Sequence, residues 1–447
     1  MLRILFIAPS AYLLGGVQDW LYMTCLGLRK EGHKVVVGVP NGKFHDAKRY
    51  NRLYSGLEAV SFTNKSGTRE GRIRGLSSFL LRNKCDIIVG VNIGDLYQSY
   101  IRVAEKLGET KFVIALHAIE TNYFLDIKKY APLIDGVITT NRLPQSMVQS
   151  LADIERNRVF YAACGIDTSI IDQRDIDDKE INRINIAWVG RIESNQKRVM
   201  DLVRVVRRLD LMGVRFKLSV AGEGPDKEKL RNAMEQWIEI GIVELKGAMK
   251  REDLYRFYRE NEVLLITSEW ETGPIIAWEA MAAGLVVVSS KYIGSRLEGA
   301  LIDGQTALLY EIGNDVDAAK KLSSVYNPVI RNGISEKARE VVKERYLQEH
   351  SIAQWEKSLR EIANWKKKNW SHYELAMRKE SLGLGRLERM LGHDVAEKLR
   401  YVIPARQATD AGDEWPHSCH EITDQSRLWQ HARNIENGEQ ADWDYNL

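Results

Sequence analysis

The stretch SEWETGPIIAWEAMAAGLVVVSS, Ser268 to Ser290, decides how the chain is read. Proline is favourable at a first helical position, because that N–H has no partner there and its φ is already helical. The alanines, methionine and apolar residues from Pro274 onward therefore read as a buried helix that stops at Gly284. LVVVSS follows as a β-rich apolar strand, and a helix running into a buried strand is the repeating unit of a parallel α/β sheet. Glu271 stands just before the helix mouth, and Glu279 lies inside the helix, about 7 Å along its axis from Pro274. The mouth between them, Thr272, Gly273, Pro274 and Ile275, is where an anion would bind.

The same alternation extends in both directions. Upstream lie LRILFIA, HKVVVGV, DIIVGVN, KFVIALH, GVITT and RVFYAAC, separated by helical patterns. A polar, acidic stretch without periodicity, residues 167–183, reads as a linker. A second set follows: INIAWVG, RFKLSVAG, VELKGA, EVLLITS, LVVVSS and TALLYEI. The expectation is two Rossmann-like, doubly wound parallel-sheet domains, 1–166 and 184–350, facing a cleft that takes the substrate at the strand ends. Residues 351–370 read as a helix that closes the second domain. The remaining 371–447 form an acidic, His-containing extension with nine Lys/Arg, fourteen Asp/Glu and five histidines. His417, Cys419 and His420 in that tail lack a second ligand cluster, so no metal is expected there.

Bulk properties narrow the class. A chain of 447 residues is too long for one core, and 44% hydrophobic with 28% charged residues is ordinary for a soluble protein. Four scattered cysteines without C-x-x-C spacing fit a reducing cytoplasm. No apolar run reaches the roughly 20 residues needed to span a bilayer, and the opening MLRILFIAPSAYLLGG reads as a first buried strand. A net charge of +3 gives no reason to expect a nucleic-acid partner. Residues 43–84 nevertheless carry ten Lys/Arg against three Asp/Glu. A solvated helix face explains this most simply; peripheral contact with an anionic membrane is the sharper expectation.

Four features point into the proposed cleft. Gly15-Gly16 sits between the first strand and the first helix, where backbone N–H groups can approach a phosphate, although a tight turn alone would use the same residues. Gly190-Arg191 ends the strand INIAWV with Lys197 six residues on, a fork and a point charge suited to a diphosphate. Gly222, in AGEGP, follows another strand end. The fourth feature is the Glu271–Glu279 stretch itself, whose carboxylates could accept sugar and ribose hydroxyls. His117 ends KFVIALH and would face across the cleft.

Together these segments resemble the retaining GT-B glycosyltransferases of family 4, the group 1 glycosyltransferases. The resemblance runs over roughly residues 1–370 in order, through GGVQDWLYMTCLGLRKEGHKVVV, CGID, GRIESNQKRV, AGEGP and SEWETGPIIAWEAMAAGLVVVSS, the last matching the family's E-x₇-E signature. Thr272 departs from it, standing where glycine usually follows the first glutamate. The resemblance implies that Arg191 and Lys197 hold a nucleotide's diphosphate and that Glu279 holds the ribose. Glu271, with the backbone from Thr272 to Ile275, would bind the donor sugar and β-phosphate. Gly16 would approach the phosphate from the other domain, and His117 would contact the transferring sugar. Arg191, Lys197 and the helix at Pro274 would make a metal unnecessary, so a cytoplasmic enzyme without cofactor or metal is expected; the resemblance implies that it moves a sugar from a nucleotide-diphosphate sugar to a glycan or lipid-linked acceptor for surface polysaccharide. A nucleotide-sugar epimerase of the same fold and a non-catalytic sugar-nucleotide binder are the alternatives. A dinucleotide oxidoreductase is disfavoured by the missing G-x-G-x-x-G.

Overall fold

A computed structural model describes residues 1–9, 16–41, 47–152, 154–167, 169, 181–368, 386–402 and 415–439. Among these, thirteen strands form two all-parallel sheets. The first holds β1 (Arg3–Ile7), β2 (Lys34–Asn41), β3 (Ala59–Thr63), β4 (Ile87–Val91), β5 (Lys111–Leu116), β6 (Gly136–Thr139) and β7 (Val159–Tyr161), in the order β3-β2-β1-β4-β5-β6-β7. The second holds β8 (Ile184–Val189), β9 (Phe216–Ala221), β10 (Val243–Gly247), β11 (Val263–Ile266), β12 (Val286–Ser290) and β13 (Leu308–Tyr310), in the order β10-β9-β8-β11-β12-β13. Each order reverses beside its first strand, so each sheet has a switch point at which ligands of such folds bind. Central strands such as IIVGV in β4 and VVVSS in β12 are buried along their whole length, because helices cover both faces.

The two-sheet expectation holds, with two differences. β3 belongs to the basic stretch and is absent from the sequence-read set: its five residues, AVSFT, carry only two large apolar side chains. The second difference concerns the closing helix. Helix Pro328–Arg345 packs on the second domain through Ile334, Ala338 and Val342. Helix Gln348–Asn364 does not close that domain; it buries Trp355, Leu359 and Ile362 in the core of the first. Its apolar stripe meets Phe6 and Trp20 there, with the Trp355 ring centroid 5.2 Å from that of Trp20. The crossing back is pinned where Ile166 pairs with Leu347: the Ile166 N–H donates to the Tyr346 carbonyl and the Gln348 N–H to that of Ile166.

The basic stretch is not a bare cationic face. Within helix Arg69–Arg82, Arg72 meets the buried Asp95 at 2.5 Å, and Arg74 shares the buried Glu70 with a bidentate Arg102. These arginines tie two helices of the first domain together. Residues 43–46 lie outside the described residues. No described helix is long and apolar enough to cross a membrane.

Candidate active site

The Glu269–Gly284 stretch builds one wall of the cleft. Gly273 takes a left-handed φ of +90°, which turns the chain into the helix with little steric cost for a residue that has no Cβ. Pro274 is the N-cap and the helix runs Ile275–Ala282, one residue later than the sequence suggested. Gly284, at φ +84°, follows its C-cap. Both glutamates are buried, each 5% exposed, and their surroundings differ.

Glu271 is the centre of a polar cluster. Its Oε1 accepts from Lys197 Nζ at 2.6 Å and from Ser268 Oγ at 2.5 Å, while Gln196 Nε2 reaches Oε2 at 3.4 Å. The cation expected at the diphosphate thus holds the acid expected at the sugar. Lys197 is fixed from behind, since its N–H donates to Glu193 and its carbonyl accepts from Thr267 Oγ1. A Cβ on Gly190 would fall 3.5 Å from the Lys197 side chain, and one on Gly222 only 1.8 Å from the Gly190 carbonyl oxygen. Glycine at 222 thus lets the ends of β8 and β9 close together. Arg191, next along, is exposed and has no ion-pair partner among the described residues.

Glu279 sits deeper. Tyr258 donates to its Oε2 at 3.1 Å, and Arg251, itself bonded to Tyr255, lies close enough to favour its charge. Burial outweighs both and lifts the Glu279 carboxyl from an ordinary 4.5 to about 7. A carboxyl raised on folding binds its proton better in the native state, so it supports stability below pH 4.5 and loses that support as pH climbs through 7. Glu279→Gln is therefore expected to flatten the decline in stability between pH 5 and pH 8 by about 2 kcal/mol, one pKa unit being worth about 1.4 kcal/mol. Urea unfolding at the two pH values checks this; parallel losses in wild type and variant would contradict it.

The opposite wall comes from the first domain. His117 follows β5 with its ring 3.9 Å, centroid to centroid, from that of Trp20. Its Nε2 is buried with no hydrogen-bond partner among the described residues, and burial depresses the imidazole to about 3. It is a neutral ring held ready for a polar group. The walls touch directly: Thr272 Oγ1 donates to the His117 carbonyl at 2.8 Å, and Thr140 Oγ1 to the Thr272 carbonyl at 3.0 Å. Gly16 opens helix Gly16–Lys30, and a Cβ there would meet no described atom within 4 Å. Gly15 lies outside the described residues.

The structure thus joins Gly190, Lys197, Glu271, Thr272 and His117 in one continuous set, with Glu279 farther along the same helix. Sequence reasoning missed Ser268 and Gln196 on Glu271, and Arg251 and Tyr258 around Glu279. Arg198 was also missed; it adopts φ +48° and bonds both Asp201 and Glu269. A non-glycine residue at positive φ beside a candidate cation is the trace a backbone leaves when geometry matters there, but composition does not reveal it. Among the described residues no group of three or more His, Cys, Asp or Glu is placed to hold a metal. Cys419 and His420 turn instead to Asp126.

Comparison with known proteins adds three findings. Residues 170–341 match the model of the glycosyl transferases group 1. Over 384 residues, 81% of this chain and all of the relative, the sequence is 21% identical to a Campylobacter jejuni GalNAc-alpha-(1->4)-GalNAc-alpha-(1->3)-diNAcBac-PP-undecaprenol alpha-1,4-N-acetyl-D-galactosaminyltransferase. Over 145 residues it is 26% identical to a candidate colanic acid biosynthesis glycosyltransferase of Escherichia coli, spanning 31% of this chain and 35% of that relative's length. Among solved structures, Anabaena HepE in complex with UDP-glucose superposes with a TM-score of 0.65 at 16% identity, over 81% of this chain and all of HepE.

Proposed function

We propose, on the premise of a GT-B fold whose second domain carries the group 1 glycosyl transferase sequence, that this chain moves a hexosyl group from a nucleotide-diphosphate sugar to a glycan or lipid-linked acceptor, with retention. The single observation carrying this reading is the Lys197–Glu271 pair, 2.6 Å long and almost buried, at the mouth of a helix bearing a second buried acid. A cation held by a carboxylate beside a helix mouth can swing toward a phosphate when one arrives.

Each residue then has a role. Lys197, the exposed Arg191 and the first N–H groups of helix Ile275–Ala282 receive the diphosphate, whose negative charge grows as the sugar C1–O bond breaks. Fixed positive groups in a water-poor cleft stabilise that charge most where it develops, so no metal is required. Glu271, freed of part of its lysine bond, accepts sugar hydroxyls. Glu279 and Tyr258 face the ribose, and the neutral His117 offers its unpaired Nε2 to the sugar from the other side. The acceptor hydroxyl attacks C1 on the face the phosphate is leaving, and its proton passes to the departing phosphate oxygen. The full-length relative named for a PP-undecaprenol glycan supports a lipid-linked acceptor. Such an acceptor would bring the protein to the inner face of a membrane, where cations of 43–84 not engaged by Glu70 and Asp95 could contribute.

The test begins with binding. The preferred uridine or guanosine diphosphate sugar should raise the melting temperature, since a ligand of the native state stabilises it by mass action. With that donor and an acceptor, transfer should persist in EDTA. No stabilisation by any sugar nucleotide would remove the reading, and loss in EDTA restored by Mg²⁺ would remove its metal-free form.

A further inference from the structure

Part of the acidic extension is built into the cleft. The Trp415 N–H donates to the Pro9 carbonyl just after β1, and the Gly94 N–H just after β4 donates to the Pro416 carbonyl. β1 and β4 flank the switch point of the first sheet, so this segment bridges the crevice there. Trp415 is 4% exposed and packs edge-on against Phe62. The buried Asp126 carboxylate then accepts from Ser418 Oγ, the Cys419 N–H and His420 Nδ1, all within 2.9 Å. Thr121 donates both its N–H and its hydroxyl to Gln425. Buried polar groups satisfied by the segment mark it as a permanent part of the first domain.

Helix Ser426–Asn437 carries the chain across to the second domain. On one side Leu428 and Ala432 are fully buried in the first domain's core, and His431 bonds Ser150. On the other side the Trp429 ring lies 4.6 Å from that of Trp270, and Arg433 meets Glu269 at 3.0 Å. Glu436 Oε1 accepts the N–H groups of Gly294 and Arg296, and Arg296 reaches Asn437. These targets are the donor wall itself: Glu269 and Trp270 lead into Glu271, and Gly294 packs against the Glu271 carbonyl.

We propose that residues 415–437 are an interdomain strap, with Trp429 and Glu436 as positioning residues that fix the Glu269–Glu271 segment opposite His117. Only its activity readout rests on the glycosyltransferase reading. A loop that is free to move by an ångström or so misplaces the sugar, and misplacement of that size can cost about a hundredfold in rate.

The experiment uses full-length Trp429→Ala and Glu436→Gln, with Trp429→Phe as the conservative control. Hydrogen exchange without ligand is read at 268–271 and 293–297, together with solution scattering. The expected result is at least tenfold faster exchange in both segments for Trp429→Ala, with recovery in Trp429→Phe. With the preferred sugar nucleotide, kcat for transfer should fall at least tenfold while donor hydrolysis takes a larger share of turnover. Folded variants with unchanged exchange and scattering overturn the strap. If Trp429→Ala fails to fold, Glu436→Gln decides, because it removes charge from a partly exposed group without opening a cavity. Altered exchange in a protein that turns over no sugar nucleotide leaves the strap standing and removes the enzymatic reading instead.

Discussion

Lys197→Ala is expected to lower kcat for sugar transfer by about three orders of magnitude while the protein still folds. Two losses combine. On the proposed reading the leaving diphosphate loses a fixed cation, and removing one such donor elsewhere costs about 10²–10³ in rate. The buried Glu271 also loses its counter-charge, keeping only Ser268 and the long contact from Gln196. An unpaired buried carboxylate is costly, so the Glu271 side chain is expected to reorganise. Lys197→Arg should rescue little, because a planar fork differs from a point charge. Steady-state kinetics with the preferred donor, beside circular dichroism, checks the prediction. A folded Lys197→Ala protein with near-normal kcat would take Lys197 out of the machinery.

The second large effect falls on stability. Glu298 is 2% exposed and lies where the domains meet. It accepts the hydroxyls of Tyr161 and Tyr346 at 2.5 Å each and the Arg142 N–H at 3.2 Å, with Arg345 at 3.6 Å. Tyr161 and Arg142 belong to the first domain, Glu298 to the second, and Tyr346 to the crossing between them. Glu298→Ala takes the shared acceptor from the buried Tyr346 and the half-buried Tyr161, while Arg345 keeps the Gly299 and Glu298 carbonyls, and it is expected to destabilise the protein by about 2–3 kcal/mol. Glu298→Gln keeps an acceptor of the same shape and should cost roughly half as much. Urea denaturation followed by tryptophan fluorescence measures both; a loss under about 1 kcal/mol for the alanine variant would contradict the assignment.

What could be read from the chain follows from where its signals are local. All six strands of the second sheet were legible: five carry strongly apolar runs, and VELKG alternates apolar and polar residues up to a glycine. β3 was not, since Ala59, Ser61 and Thr63 dilute its apolar character and basic residues surround it. The E-x₇-E stretch revealed both acids, and GRIESNQKRV revealed Lys197. That Lys197 would bond Glu271, 74 residues away, was invisible, as was Ser268 as a donor to the same carboxylate. The extension was illegible for the same reason. Its hydrogen bonds run about 300 residues back to Thr121, Asn122 and Asp126, and nothing in its own pattern names those partners.

The pin at Ile166 and Leu347 gives the first domain an unusual anatomy. It is assembled from two distant pieces of the chain, with the whole second domain inserted between them. Cutting after the last strand of the first sheet would yield a fragment stripped of Trp355, Leu359 and Ile362, and with a gap in its core where those side chains belong. During synthesis that half must wait for the ribosome to finish both helix Gln348–Asn364 and helix Ser426–Asn437 before its core can close. Swapping modules between related proteins would accordingly succeed only with both segments exchanged together.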